Sequence, residues 1–116
     1  MPALRLDRFP NLTRLCLRQN GLVDIALPPL PWGATLRELD LYDNGIAHVR
    51  GLDDLPALTS LDLSFNKIKH IKNVKHLKTL TDLYFVQNKI SRIEGLEGLD
   101  RLTNLELAAN RIRVCD

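Results

Sequence analysis

Aromatic side chains are scarce in this chain, at 5% of its residues, and it carries only two cysteines. Such a pair offers neither a disulfide framework nor the clustered Cys and His spacing of a zinc site. No apolar run approaches the 18 or so residues that a spanning helix requires, and the N-terminus has no uncharged apolar signal segment. A soluble, intracellular protein is therefore expected, with no membrane contact and with Asn11-Leu12-Thr13 an unused glycosylation sequon. Glycine-rich phosphate loops are absent as well. His48, His70 and His76 stand apart from any nucleophile–base arrangement, so neither catalysis, a metal nor a cofactor is expected. The formal charge is only +2.

What the chain has in abundance is repetition. Asn20, Asn44, Asn66, Asn88 and Asn110 are spaced by 24, 22, 22 and 22 residues, and each closes the phrase L-x-x-L-x-L/F-x-x-N. The phrases are LTRLCLRQN, LRELDLYDN, LTSLDLSFN, LTDLYFVQN and LTNLELAAN, beginning at residues 12, 36, 58, 80 and 102. This pattern is a leucine-rich repeat. One such unit cannot bury its own leucines, and stacking is what gives it a core. The two-residue period of a strand points the last two leucines inward and leaves the residue between them outside. Each asparagine is expected to turn inward and to satisfy backbone groups where the strand bends away, since its amide both donates and accepts.

A second phrase follows each asparagine, with apolar residues three apart: Ile46, Val49, Leu52, Leu55; Ile68, Ile71, Val74, Leu77; Ile90, Ile93, Leu96, Leu99. That spacing suits 3₁₀ or short helical turns rather than long α-helices. Gly51 and Gly95 fall at corresponding places and mark a tight bend. The expected fold is thus α/β, a leucine-rich-repeat solenoid with short parallel β-strands on a concave face and short turns on a convex one.

The first repeat is two residues longer, and Pro28, Pro29, Leu30, Pro31 and Trp32 fill its convex stretch. We read it as a rigid bulge with Trp32 packed over the convex leucines, the other reading being a partner contact. Residues 1–11 form a partial repeat, and the chain also ends in mid-repeat after Ile112 and Cys115. The whole of 1–116 reads as one domain, uncapped at both ends and expected to be a fragment or an abbreviated array. Its open sheet edges favour end-to-end self-association. Cys16 and Cys115, several coils apart, are expected to be free thiols.

Charge is sorted by face. Outward strand positions carry Glu38, Asp40, Asp62, Asp82 and Glu106 against Arg14 and Arg18, while the convex turns carry Lys67, Lys69, Lys72, Lys75, Lys78, Lys89, Arg92 and Arg111. The basic run from Lys67 to Lys78 is interleaved with packing residues and lacks aromatic stacking partners. It reads as a solvated face, not a nucleic-acid site. On the concave side one column reads Cys16, Asp40, Asp62, Tyr84 and Glu106. An aromatic between acids supplies contact area while the acids orient a basic partner, and Phe65 near the strand exit widens the patch.

Beyond the repeat consensus, CLRQN, LRELDLYDN, LDLSFN, NKISRIEGLEGL and LELAANRIR resemble the leucine-rich-repeat regulatory subunits of protein phosphatase 1, of the 22-residue class. The resemblance runs from about Leu4 to Arg113 and covers the family's N-terminal repeats. It implies a non-catalytic subunit of the nucleus and cytoplasm that grips the protein phosphatase 1 catalytic subunit on its concave face. The family's contact positions match Asp62, Tyr84 and Glu106 here. Tyr84 stands where the family commonly has Phe, and Ala108-Ala109 and the Pro-Pro-Leu-Pro-Trp bulge are departures. Two other readings remain open: a structural leucine-rich-repeat adaptor in a ciliary, splicing or other multiprotein assembly, and a repeat fragment without a partner.

Overall fold

Each L-x-x-L-x-L phrase becomes one short strand, and the five strands lie side by side in sequence order. The computed structural model describes residues 12–23, 35–52 and 55–112. The strands are β1 (Arg14–Cys16), β2 (Glu38–Asp40), β3 (Ser60–Asp62), β4 (Asp82–Tyr84) and β5 (Asn104–Glu106), all parallel in the order β1-β2-β3-β4-β5. Register follows the repeat without slippage: Leu15, Leu39, Leu61, Leu83 and Leu105 are successive partners at the middle position. The core is the column these leucines share with the other phrase leucines and the convex row. Leu36, Leu41, Leu58, Leu63, Leu80 and Phe85 close it from one side, and Ile46, Val49, Ile68, Ile71, Val74, Leu77 and Ile90 from the other, all buried. Each is worth about 1.5–3 kcal/mol against exposure, so the stack rests on burial shared between coils.

The asparagines sit where the repeat places them. Asn66 Oδ1 accepts the Ile46 N–H of the preceding coil at 3.0 Å, while its Nδ2 donates to Leu41 O at 3.1 Å and to Leu63 O of its own coil at 3.0 Å. Asn88 repeats the arrangement with Ile68, Leu63 and Phe85, and Asn110 with Ile90, Phe85 and Leu107. Asn44 Oδ1 accepts both the Asn20 and the Leu22 N–H. Asn20, in the first described coil, is exposed and donates to Arg18 O.

The three-residue convex spacing is realised as isolated turns rather than continuous helix. Backbone bonds from Leu58 to Leu55, Leu77 to Val74, Leu80 to Leu77, Leu99 to Leu96 and Leu102 to Leu99 each close one turn of the 3₁₀ type. The bend assigned to Gly51 and Gly95 has positive φ at both, 82° and 74°. Asn73 takes the same place in the coil between them, at φ 62°, and anchors itself by donating to Val49 O at 2.7 Å. Asparagine tolerates this left-handed region better than other non-glycine residues.

No helix among the described residues is long and apolar enough to cross a membrane. Cys16 is a free, exposed thiol. Cys115, the Pro28–Trp32 bulge, Asn11 and both chain ends lie outside the described residues.

Candidate functional site

The outer face of the sheet is made by the first and third residue of each strand. Third positions pair as Cys16↔Asp40, Asp40↔Asp62, Asp62↔Tyr84 and Tyr84↔Glu106. The column expected to carry recognition is thus physically continuous, with side chains one strand spacing, about 4.8 Å, apart. Tyr84 is half-buried between two acids, and its hydroxyl accepts a hydrogen bond from Asn104 Nδ2 at 3.2 Å. Its phenol pKa is raised, first by partial burial and then by the negative charges of Asp82, Asp62 and Glu106, against a smaller opposing effect of Asn104. The ring is held as a neutral donor among carboxylates.

The acids are not equivalent. Asp40 Oδ2 takes the Arg18 guanidinium of the preceding coil at 2.7 Å, and Arg14 stands 4.0 Å from Glu38. Asp40 raises the Arg18 pKa by its charge and then by this hydrogen bond. Strands β1 and β2 therefore neutralise themselves. Asp62, Asp82 and Glu106 have no ion pair among the described residues, although Thr81 donates to Asp82. Asp40 and Asp62 are like charges on adjacent strands, and Arg18 relieves their repulsion by covering the former. The acidic character of the face is concentrated on β3 to β5.

Beyond the strands the coils stay paired for two residues more, through Gln19 N–H to Tyr42 O, Asp43 to Ser64, Phe65 to Val86 and Gln87 to Ala108. The residue before each asparagine, Gln19, Asp43, Phe65, Gln87 or Ala109, has φ between 55° and 61°. Among them Phe65 is the bulky exception, in a conformation that L-aromatics avoid. It is 40% exposed, and its ring lies 4.8 Å from that of Tyr42 at 45°. Arg18 in turn lies over the Tyr42 ring at 4.6 Å. Phe65 is thus at the strand exit as the sequence indicates, but its companion is Tyr42, which sequence reasoning did not single out. The signal was present: LRELDLYDN and LTSLDLSFN each place one aromatic between the last leucine and the asparagine, one slot apart.

The three histidines lie on the convex side. His76 Nε2 is 2.7 Å from Leu52 O, and His70 Nδ1 is 3.5 Å from Glu94. Among the described residues no three His, Cys, Asp or Glu side chains come together to hold a metal.

Comparison with known proteins agrees with this geometry. The "Leucine rich repeat" family profile matches residues 10–68. Protein phosphatase 1 regulatory subunit SDS22 of Schizosaccharomyces pombe is 59% identical over 58 residues, which is 50% of this chain and 16% of that protein. This similarity bears out the resemblance seen in the repeat phrases. The functional domain of InlJ from Listeria monocytogenes, a solved structure, superposes with a TM-score of 0.74 at 30% identity, over 98% of this chain and 24% of that one. An internalin, inlF, from the same species gives 0.65 at 27% identity, over 90% of this chain and 37% of that one. The chain spans only a minor part of each relative's length, and the stacked parallel sheet is what it shares with the internalins. With the repeat profile matched over half its length, the chain belongs to the leucine rich repeat family.

Proposed function

We propose that the chain is a non-catalytic protein-binding module that docks the protein phosphatase 1 catalytic subunit on its concave face, as a regulatory subunit. The observation that carries the reading is the column Asp62, Tyr84 and Glu106, held side by side on three adjacent strands. A ring between unneutralised acids fits a partner that is apolar at the contact centre and basic around it. The 59% identity to a phosphatase regulatory subunit over half the chain supports this choice of partner. On this reading the module works in the nucleus and cytoplasm, with no group of its own performing chemistry.

The test is capture of the purified catalytic subunit by the immobilised chain. Binding is expected, and Tyr84→Ala should weaken it by about 2 kcal/mol, as for a central aromatic anchor. Asp62→Ala and Glu106→Ala should act mainly through the association rate and its salt dependence. Capture that survives all three changes unaltered would place the contact elsewhere.

A further inference from the structure

The chain contains an internal example of the ligand that one of its own rungs lacks. Asp40 and Asp62 are register partners on β2 and β3 and share the same local geometry: one carboxylate oxygen accepts the N–H two residues on, from Tyr42 at 3.0 Å and from Ser64 at 2.9 Å. This fixes each carboxylate and leaves Oδ2 free to act. In the Asp40 rung that oxygen is taken by the guanidinium of Arg18, which also lies over the ring of Tyr42. Carboxylate and aromatic face together hold a planar cation.

One coil further on the repeat presents the carboxylate again without its cation, and with Ser64 where Tyr42 stands in the Asp40 rung. The residue in register with Arg18 is Tyr42, two past Asp40 as Arg18 is two past Cys16, and a phenol brings no positive charge to Asp62. Asp62 Oδ2 has no partner among the described residues. Aromatic faces are nonetheless supplied: Phe65 is exposed against Tyr42, and Tyr84 is the strand partner of Asp62 on the other side. Phe65 is held there at φ 58°, where folding alone favours glycine or asparagine.

We infer that Asp62, with the exposed ring of Phe65, is a docking point for an arginine side chain of the partner protein, whose guanidinium pairs with the free carboxylate oxygen as Arg18 pairs with that of Asp40 one rung earlier. Arginine rather than lysine is specified because its guanidinium is flat, stacks on a ring and donates in the plane to a carboxylate, whereas an ammonium is a compact, strongly hydrated charge. The inference rests on the concave face being the docking face but not on which protein docks there.

The experiment is an NMR titration of the isotope-labelled chain with arginine amide and, separately, lysine amide. Arginine amide should shift the backbone signals of residues 62–65 and 84, and lysine amide should need a concentration at least about fivefold higher for the same shift. Asp62→Asn keeps the Ser64 bond but removes the charge, and should abolish the preference. Tyr42→Arg places a guanidinium in register with Arg18 one coil on, where it should pair with Asp62 from within and block the titration. Circular dichroism melts of both variants establish that they are folded. Equal response to the two amides, no response at these residues, or an unaltered titration in folded Asp62→Asn would overturn the inference. Arginine preference retained in a chain that fails to capture the phosphatase would instead defeat the partner assignment and leave this site standing.

Discussion

Asn88 takes the Ile68 N–H on its side-chain oxygen at 3.0 Å, and it spends its Nδ2 on Leu63 O and Phe85 O, so one side chain stitches two coils. It is buried, as is Asn66, and neither has water to fall back on. Asn66→Ala or Asn88→Ala leaves a main-chain donor and carbonyls unsatisfied, and should cost about 1–3 kcal/mol in urea unfolding. Asn20→Ala should stay within about 0.5 kcal/mol, because that amide is exposed and, among the described residues, bonds only within its own coil.

The convex bend offers a second contrast within the repeat. Asn73 shows that one coil tolerates a side chain at positive φ, but at Gly95 an added Cβ would stand 2.2 Å from Ile71 O. Importing the neighbouring coil's solution as Gly95→Asn should therefore fail. A loss of about 2 kcal/mol or more is expected, from collision with backbone that cannot give way. Thermal melts of Gly95→Asn beside Asn73→Gly check it, the second being expected to cost no more than about the 0.5–1.5 kcal/mol of its bond to Val49.

Such contrasts mark how far the sequence can be read. The leucines and asparagines were legible because each performs a duty that successive coils repeat, and periodicity exposes a duty performed coil after coil. The column Asp62, Tyr84 and Glu106 followed from the same register. What escaped was pairing between coils among the variable residues. Arg18 and Asp40 were both placed on the outer face, yet their bond depends on the reach of an arginine across one rung. The Tyr42–Phe65 contact joins different slots of adjacent phrases, so no column of the repeat contains both rings. Positive φ at Phe65 was hidden for a related reason: the backbone conformation belongs to the coil, and the residue there gives no sign of it.

The phenol of Tyr84 gives the stability of the chain a pH dependence of known sign. Its folded pKa lies above the unfolded value because of partial burial and neighbouring carboxylates. The folded state then holds the proton more tightly than the unfolded one. The resulting contribution to stability is fully present below the ordinary tyrosine pKa and is lost as pH rises through the folded value. Melting temperatures between pH 8 and 11.5 should fall more steeply for the parent chain than for Tyr84→Phe, which has no proton to lose.

Neutralisation of Asp40 by Arg18 makes the most direct prediction about binding. The pair is formed within the chain, so Asp40 has little left to offer a basic partner, and Asp40→Asn should weaken phosphatase capture less than Asp62→Asn. Removing the arginine does the reverse. Arg18→Ala exposes Asp40 beside Asp62, extends the uncompensated acids from β3 onto β2, and strengthens the field that draws a cationic surface. Faster association is expected at low ionic strength, by up to about 1 kcal/mol in apparent affinity, and the gain should vanish near 0.5 M salt, where screening shortens to a few ångströms. Biolayer interferometry of Arg18→Ala and the parent chain across that salt range reads both effects. A slower or salt-independent association in Arg18→Ala would mean that Arg18 itself touches the partner, and that the neutral strands β1 and β2 belong inside the footprint.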